Sequence, residues 1–591
     1  MQTKNAFPWV FALKIQGFSS SLDDNLTRVA SVHPKIPEHG GILEGFAIEI
    51  EDASAQASVQ SHLSVLSGTD SSMRPIGDSD TDFELTQSKR KISTRQAWNK
   101  SYELRAIPGV AYAEPLFATS VSDNQSWVRE PNNSSDGEVH LPESLHPDWS
   151  IEAIHARDAW EKFFPDASRR PGHGVVIGHP DTGYSDHPEL EERIVRDKGY
   201  NFLFEKTDAH DDLERPLTTP VPNPGHGTGT ASTIVSPAGS QGKYPNGGWV
   251  TGVAPGAEII PLRTAYSVVL WSTLNLARAI EYATNEGVHV ISISMGGLWS
   301  WRLRRAVMFA ESRGVIICAA AGNYAPFVTW PGVYDEVIAC AASNARGEPW
   351  RWSCRGRAVD VTAPGESVWR ATVDKNERSM SYDVARSSGT SFATAITAGV
   401  AAMWLSHHGR DSLLARYGRE NLPFVFQRVL RESCVKFPGW KERKFGAGLI
   451  DAMRTLEAPL PDAASIDSSG MRSRNDLHPE IDRGGLATFA HLFRLNRTKL
   501  VRPLAELLRV KEEELEPTLG VIGQELAFHI ATDPILYREV RTNLENENVM
   551  NLDALRASLV SRASSPLRSW ITDLPRANPK IDIKPGSAPQ L

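Results

Sequence analysis

The sequence predicts an α/β protein built on a doubly wound, mainly parallel sheet, and two observations predict it. Between about residues 150 and 455, short apolar runs alternate with stretches whose apolar residues repeat at helical spacing. The apolar runs are nearly continuous rather than alternating with polar residues, as in strands that helices cover on both faces. A block of about 300 residues is long enough to bury one large core.

The elements follow one another in a regular order. The first predicted strand begins at Val175, and the next helix has Ser272 as its expected N-cap and Gly287 just beyond its end. After it the sequence predicts a strand from Val288 to Ser294, a helix carrying Leu303, Ala306, Val307 and Ala310 that Gly314 closes, and a strand from Val315 to Ala321. Because the strands are parallel, reactive groups are expected at their carboxyl ends.

Composition excludes several classes of protein. The 591 residues carry 63 Lys and Arg against 71 Asp and Glu, a net charge of −8 that gives no electrostatic reason to expect a nucleic-acid partner. The four cysteines fit neither a disulfide framework nor a zinc-ligand spacing, so neither disulfides nor a zinc site is expected. We expect that the protein requires no cofactor.

Nothing in the sequence predicts a membrane partner. The longest apolar candidate, Phe392 to Leu405, is too short to span a bilayer and is expected to be a buried helix. Near the N-terminus the apolar run Ala6 to Leu13 is interrupted by Lys14, with no small-residue cleavage site after it. We expect a strand there rather than a signal peptide, and a cytoplasmic protein.

Shifts in composition divide the chain into segments. The stretch 119–148 is polar and rich in turn residues, 457–485 is rich in Pro, Ser, Asp and Gly, and 577–591 carries four prolines. We therefore expect a domain over 1–118, a linker over 119–148, the α/β domain over 149–456, a second linker over 457–485, a helical extension over 486–576 and a flexible tail over 577–591.

Three short segments place reactive side chains where such a fold would use them. Asp181 follows the strand that begins at Val175, His226 opens a run of small residues typical of a tightly packed helix, and Ser391 precedes the apolar helix. Each motif alone is weak, since Asp-Thr-Gly is usually a turn and Gly-Thr-Ser is commonly a cap. Together they supply a hydroxyl, a base to take its proton and a carboxylate to orient the base.

At this point the sequence closely resembles the subtilase (subtilisin-like, S8) family of serine peptidases over about 149–455. Besides the three segments, the resemblance rests on the stretches Trp149 to Trp160, Gly252 to Ala257, Val361 to Gly365 and Phe445 to Asp451. It implies a subtilisin-like fold in which Asp181 orients His226 and His226 is the general base for the nucleophile Ser391.

The resemblance also assigns residues around the triad. The segment Ala319 to Asn323 is similar to the family's oxyanion segment, so Asn323 and the amide of Ser391 are expected to stabilise the tetrahedral intermediate. Ser294, Met295 and Gly296 resemble the edge that binds an extended substrate, although an ordinary strand exit would look the same.

The chain departs from the family pattern at two positions. Gly229 follows Thr228 where the family usually has His, and Ala395 stands four residues after the nucleophile where the family usually has Pro. Neither residue performs the chemistry, so both changes bear on packing. The presence of His226 argues against the related sedolisin type. An acidic loop, Asp208 to Asp212, could hold calcium but is left unassigned.

The flanking regions resemble the family less closely. Residues 1–118 contain strand candidates at Phe11–Ile15, Gly45–Ile50 and Ile107–Glu114, with helix-like stretches near 54–66 and 93–106, and are similar to the family's ferredoxin-like inhibitory prodomain. An unrelated N-terminal domain is the alternative. The amphipathic helices of 486–576 could dock on the protease, form oligomers or bind a partner.

The sequence thus predicts a serine endopeptidase that acts on proteins or peptides through an acyl-enzyme on Ser391. Its own N-terminal domain would be its inhibitor, with autocatalytic cleavage between about residues 115 and 148. The alternatives are a catalytically silent subtilase fold used as a binding module or scaffold, and an esterase or amidase that shares the acyl chemistry.

Overall fold

The computed structural model describes residues 40–67, 72–121, 146–166, 168–190, 192–216, 219, 221–237, 241–270, 272–375, 379–466, 484–545 and 552–572. They divide into two compact units. One runs from residue 146 to residue 466, and the other joins residues 40–121 to residues 484–572. The expected strand at Phe11–Ile15 and the expected tail over 577–591 lie outside the described residues.

The N-terminal part is an antiparallel sheet with two helices, in the order β1 (Gly40–Ile50), α1 (Gln56–Ser67), β2 (Ser72–Pro75), β3 (Asp82–Ser93), α2 (Thr94–Arg105) and β4 (Val110–Val121). The strands lie in the order β2-β3-β1-β4, which is the ferredoxin-like β-α-β-β-α-β arrangement. Helix α2 begins at a capping box, in which Ser93 and Gln96 each bond the other's backbone amide. The α+β fold expected for this region is confirmed.

The other unit contains a seven-stranded parallel sheet, which confirms the predicted α/β class. Its strands and the smaller ones beside them are β5 (Val176–Asp181), β6 (Tyr200–Asn201), β7 (Glu258–Arg263), β8 (Val269–Leu270), β9 (Val290–Ile293), β10 (Gly296–Gly297), β11 (Ile316–Ala320), β12 (Ile338–Ser343), β13 (Val361–Pro364), β14 (Val368–Lys375) and β15 (Met380–Ser387). The strand order is β13-β12-β11-β9-β5-β7-β6. From β5 the sheet is extended in one direction by β7 and β6, and in the opposite direction by β9, β11, β12 and β13. The direction of winding therefore reverses between β5 and β9, and in doubly wound sheets ligands bind at such a point.

Helices pack against the parallel sheet and at its ends. They are α3 (Trp149–Glu152), α4 (Ala156–Phe163), α5 (His226–Val235), α6 (Leu274–Asn285), α7 (Trp301–Ser312), α8 (Thr390–His408), α9 (Arg410–Tyr417), α10 (Leu422–Ser433), α11 (Glu442–Phe445) and α12 (Ala452–Glu457). Helix α6 starts one residue later than expected: its N-cap is Thr273, although the hydroxyl of Ser272 still accepts from the Leu274 amide at 3.3 Å. Helix α7 ends as expected, with Gly314 in the left-handed conformation (φ +75°).

Helix α8 lies at the centre of this unit, where its small residues allow neighbouring segments to pack closely against it. Its side chains from Thr390 to Ser406 are buried. A side chain at Gly399 would place its Cβ only 2.7 Å from Val253, so the helix packs at a distance that larger residues would forbid. The apolar run is therefore a core helix, as predicted. Among the described residues, no helix is long and apolar enough to cross a membrane.

The C-terminal region is helical, as predicted, with α13 (Leu486–Phe493), α14 (Arg497–Leu508), α15 (Leu515–Ala531), α16 (Pro534–Glu545), α17 (Leu552–Val560) and α18 (Ser565–Ile571). Inside it, the fully buried carboxylate of Glu525 on α15 accepts from the amide and the hydroxyl of Ser564, at 2.7 and 2.6 Å. These bonds join α15 to the start of α18, so the helices form one packed group.

These C-terminal helices pack on the N-terminal sheet, a contact that the sequence did not predict. The ring of Phe528 on α15 lies 6.0 Å from that of Trp98 on α2 and 6.4 Å from that of Phe117 on β4. The guanidinium of Arg105 donates to the Val521 carbonyl at 2.9 Å. Helix α15 therefore joins the outer strand β4 and helix α2 through side-chain contacts.

The side chain of Phe528 should therefore stabilise the N-terminal domain from 400 residues away in sequence. We expect Phe528→Ala to lower the opening free energy of β4 and α2 amides by about 2 kcal/mol, less than a fully buried Phe because the ring is only half-buried. Hydrogen exchange measures this change.

The matched control is Ile535→Ala on α16, whose side chain is 57% exposed, and it should leave the exchange of β4 and α2 unchanged. Amides of β11 in the other unit report on global unfolding. Equal protection of β4 in Phe528→Ala and in the unaltered protein would show that α15 does not support the sheet.

Candidate active site

The predicted acid and base meet where β5 ends and α5 begins. Asp181 is the last residue of β5 and has no exposed surface, and His226 is the first residue of α5 and is 8% exposed. The Nδ1 atom of His226 lies 2.8 Å from Oδ1 of Asp181, within hydrogen-bond distance. An ionised Asp181 can only accept, so the imidazole carries its proton on Nδ1 and leaves Nε2 as an acceptor.

The Asp181 carboxylate is kept ionised by its neighbours. Burial raises the pKa of this carboxyl, but the charge and hydrogen bond of His226, the nearby His179 and the Thr182 amide together hold its pKa below the usual value. The Thr182 amide donates to Oδ1 at 2.7 Å, and the hydroxyl of Thr230 lies 3.3 Å from Oδ2. Asp181 is therefore a carboxylate throughout the neutral pH range.

Close backbone packing explains the small residues around His226. A Cβ at Gly227 would lie 2.1 Å from the Gly183 carbonyl oxygen, so only glycine lets α5 approach the loop that follows β5. Gly225 precedes the helix with φ +73°, a left-handed conformation that glycine adopts without strain. The run of poor helix formers is thus a consequence of bringing His226 to Asp181.

Asp211 ties the two loops of this pair together. Its Oδ2 accepts from the Gly225 amide at 2.7 Å and from the Thr182 hydroxyl at 3.2 Å, and burial raises the pKa of this carboxyl. The neighbouring Asp212 accepts from Arg263 at 2.6 Å. Asp208, the third carboxylate of the acidic loop, accepts from Lys206 at 3.1 Å, so protein donors engage all three. No group of three or more His, Cys, Asp and Glu among the described residues is arranged to hold a metal ion.

Ser391 lies in the first turn of α8, next to a residue whose ring lies near His226. Its hydroxyl donates to the Ser294 carbonyl at 3.0 Å, and the hydroxyl of Ser294 donates back to the Ser391 carbonyl at 2.9 Å. The ring of Phe392, the next residue, is 6.5 Å from the His226 ring. Ser391 is 2% exposed, and its position at a helix N-terminus favours negative charge that develops close by.

Asn323 is oriented by Thr390, the residue that precedes Ser391. Its Oδ1 accepts from both the amide and the hydroxyl of Thr390, each at 2.9 Å. The same hydroxyl accepts from the Gly322 amide at 3.2 Å. Because Oδ1 accepts from Thr390, the side-chain group that Asn323 has left to offer is its amide nitrogen, a donor, which lies 3.4 Å from where a Cβ on Gly389 would be.

The segment Ser294 to Gly296 follows β9 at the same end of the sheet. Met295 is 1% exposed and its sulfur accepts from the Thr264 hydroxyl at 3.3 Å, so its side chain belongs to the interior. Gly296 pairs with Val269 in the small parallel sheet of β8 and β10. A Cβ on Gly296 would lie 2.3 Å from the hydroxyl of Thr329, which leaves no room for a side chain there.

Comparison with known proteins identifies the chain. The profile of the subtilase family (peptidase S8) matches residues 172–447. M-protease from Shouchella clausii (strain KSM-K16) is 32% identical over 309 residues, covering 51% of this chain and 70% of that protein. The chain belongs to the subtilase family. Thermitase from Thermoactinomyces vulgaris is 31% identical over 278 residues, which cover 46% of this subtilase and 86% of thermitase.

A longer match extends beyond the peptidase region. Fervidolysin from Fervidobacterium pennivorans is 28% identical over 414 residues, or 64% of this subtilase, but the alignment covers only 54% of fervidolysin. Its crystal structure superposes with a TM-score of 0.49 at 20% identity, covering 71% of this chain and 62% of that one.

Sequence reasoning missed several residues that surround the site of this subtilase. Thr182, Asp211 and Thr390 hold the loops in place, and Thr230 and His179 lie beneath the Asp181–His226 pair. One signal was present for His179: it is a polar residue inside the otherwise apolar strand that leads to Asp181. A buried polar side chain has to find hydrogen-bond partners, so its position there indicated a neighbour of the site.

The orientation of Asn323 by Thr390 leads to a prediction. If Asn323 is the oxyanion donor that the sequence predicts, Thr390→Ala should lower kcat about tenfold with little change in KM, because the amide that Thr390 orients would be held less firmly. Thr390→Ser, which keeps the hydroxyl, should retain most of the activity. Steady-state kinetics on a peptide substrate measures both.

Thr397→Ala on the same helix is the matched control, since its hydroxyl donates to the Ala393 carbonyl at 2.8 Å and has no part in orienting Asn323. It should leave kcat within about twofold of the unaltered protein. Equal losses in Thr390→Ala and Thr397→Ala would assign the effect to helix stability instead of to Asn323.

Proposed function

We propose that this subtilase is a serine endopeptidase that hydrolyses peptide bonds through an acyl-enzyme on Ser391. The observation that carries the proposal is the 2.8 Å contact between His226 Nδ1 and Asp181 Oδ1, at the switch point of the sheet and beside the helix whose first turn carries Ser391. The names of the relatives, M-protease among them, support the same reaction class.

The proposed chemistry begins with proton transfer. His226, held by Asp181, takes the proton of the Ser391 hydroxyl through Nε2 as that oxygen attacks the substrate carbonyl carbon. For this the hydroxyl exchanges its bond to the Ser294 carbonyl for one to His226, a rotation about a single side-chain bond. His226 then gives the proton to the leaving amine, and water repeats the sequence to release the acyl group.

The negative oxygen of the intermediate requires donors that are in place beforehand. The Asn323 side-chain amide and the Ser391 backbone amide are proposed to provide them, the first oriented by Thr390 and the second by the first turn of α8. An extended substrate would run along the segment Ser294 to Gly296. Every proposed group belongs to the chain itself, so the reaction needs no cofactor.

Covalent labelling tests the proposal. A fluorophosphonate probe should label the protein at Ser391, and Ser391→Ala should abolish the label. The labelling rate should rise with pH through the range in which His226 loses its proton, about 6.5 for an unperturbed imidazole, because only the neutral ring accepts the Ser391 proton. Asp181 adds no second step in this range, since its pKa is lowered.

The labelled residue is read by peptide mass spectrometry, with heat-denatured protein as the control for nonspecific reaction. A folded protein that stays unlabelled after removal of the N-terminal domain would contradict the proposal and favour the alternative of a catalytically silent binding module. Hydrolysis of simple esters without hydrolysis of peptides would favour the alternative of an esterase.

We further propose that the N-terminal α+β domain inhibits the peptidase and that the chain cuts itself after that domain. Strand β4 pairs with β1 as far as Val121, so a bond between residues 115 and 121 would first have to leave the sheet. This narrows the expected cleavage range to 122–148, of which residues 122–145 lie outside the described residues. The packing of Phe528 on Trp98 and Phe117 would hold the cut domain to the C-terminal helices.

Intact mass and gel filtration test this maturation. Ser391→Ala should remain at 65.0 kDa, and the unaltered protein should give two fragments that elute together. The fragments should stay associated because the N-terminal domain and the C-terminal helices form one compact unit. An uncut protein that nevertheless digests added substrate would contradict the scheme.

A further inference from the structure

Two side chains lie directly beneath the Asp181–His226 pair, and the local geometry puts them there. His179 precedes Asp181 by two residues on β5, so both side chains point to the same face of the sheet. Thr230 follows His226 by four residues on α5, so both lie on the same face of the helix. His179 and Thr230 therefore face each other where β5 and α5 meet, one residue layer further into the interior than Asp181 and His226.

The four groups are close enough to form one hydrogen-bonded chain. The hydroxyl oxygen of Thr230 is 3.1 Å from Nε2 of His179 and 3.3 Å from Oδ2 of Asp181. Nε2 of His179 is 4.0 Å from that same Oδ2. His179 is 2% exposed, and Thr230 and Asp181 are fully buried, so water does not compete for these contacts.

The direction of the hydrogen bonds follows from counting protons. The hydroxyl of Thr230 has one proton, and its oxygen neighbours are all acceptors: Oδ2 of Asp181 and the carbonyls of His226 (3.2 Å) and Gly227 (3.3 Å). If Nε2 of His179 carried no proton and accepted a hydrogen bond from Thr230, its lone pair would face the negatively charged carboxylate of Asp181, which is unfavourable. With the proton on Nε2, His179 instead donates to Thr230. The single Thr230 proton then goes to the strongest of its three acceptors, which is the charged Oδ2 of Asp181.

We propose that His179 is a positioning residue that acts on the Asp181–His226 pair through Thr230. The bond from His179 fixes the Thr230 hydroxyl so that its proton points to Asp181, and Oδ2 is thereby held while Oδ1 faces His226. A carboxylate that accepts hydrogen bonds from additional donors stabilises a protonated, positively charged imidazole less strongly, because those donors partly compensate its negative charge. His226 therefore becomes neutral, and able to act as a base, at a lower pH than it would without the two deeper residues.

The charge state of His179 agrees with this role. Burial lowers the pKa of His179, and the nearby His226 lowers it further, against the opposing effect of Asp181. These are the titratable groups that act on His179, one on its own strand and one on the helix packed against it. His179 thus stays neutral, and it adds no second positive charge when His226 is protonated.

The inference rests on the proposed function, and pH profiles test it. We expect His179→Phe and Thr230→Val, which keep the side-chain volume but remove the polar atoms, each to move the acid limb of the labelling rate at Ser391 upward by about half a pH unit. The double variant should shift no further than either single one, because both act through the same Thr230 proton. Thr230→Ser should restore the profile.

The matched control is Thr233→Val on the same helix, whose hydroxyl donates to the Thr230 carbonyl at 2.8 Å rather than to the Asp181 group. It loses a buried hydroxyl without losing a donor to Asp181, so its acid limb should stay in place. An acid limb that is the same in His179→Phe, Thr230→Val and the unaltered protein overturns the inference. A pure packing role would lower the melting temperature of these variants without moving the limb.

A second measurement does not depend on activity. In full-length Ser391→Ala protein labelled with ¹⁵N-histidine, NMR titration follows the His226 ring directly, and adding His179→Phe should raise its midpoint by the same half unit. If no form of the protein reacts with the probe yet this midpoint moves, the proposed function fails and the role of His179 stands. An unmoved midpoint rejects the role of His179 whether or not the protein is an enzyme.

Discussion

The site depends on one constraint: the carboxylate of Asp181 is ionised although it has no contact with water. An ionised carboxyl in a protein interior is stable only if hydrogen-bond donors replace its hydration shell. Here the donors come from three places: the Thr182 amide in the next residue, the ring of His226 and the hydroxyl of Thr230 on α5. Each donor fixes a different piece of the chain, so satisfying one charge also fixes the loop after β5 and the first turns of α5.

The same requirement accounts for the packing around the pair. Helix α5 can deliver His226 and Thr230 only by lying close to β5, and Gly227 permits that approach because a side chain there would collide with the Gly183 carbonyl. Asp211 then joins the two backbones through the Gly225 amide and the Thr182 hydroxyl. The low helix propensity of the sequence after His226 is thus offset by tertiary contacts, which usually contribute more to helix stability than propensity does.

The parts of the fold that could be predicted from the sequence are those with local signals. Continuous apolar runs indicated parallel strands, and Asp181, His226 and Ser391 each stand at the strand end or helix start where the pattern put them. The N-cap of α6 was predicted one residue early because Ser, the better N-cap residue, stands directly before Thr273, and its hydroxyl does accept from the first turn although the helix begins one residue later.

Contacts between distant segments could not be predicted in this way. His179 was assigned to a buried strand, and its partner Thr230 is 51 residues away, so only the pairing of α5 with β5 reveals their contact. The same holds for Phe528 and Trp98, which lie on helices more than 400 residues apart in sequence. An amphipathic pattern specifies that a face is covered, but the identity of the covering element depends on the tertiary fold.

The contact between the two ends of the chain bears on how the proposed inhibition would end. The C-terminal helices are covalently continuous with the peptidase region, and they also pack on β4 and α2. A cut after Val121 would therefore leave the N-terminal domain bound to the chain from which it came. A bound neighbour has an effective concentration on the order of millimolar, at which even a weak inhibitor occupies its site. Cleavage alone would then not start activity; it would also require degradation of the domain or loss of the Phe528 contact.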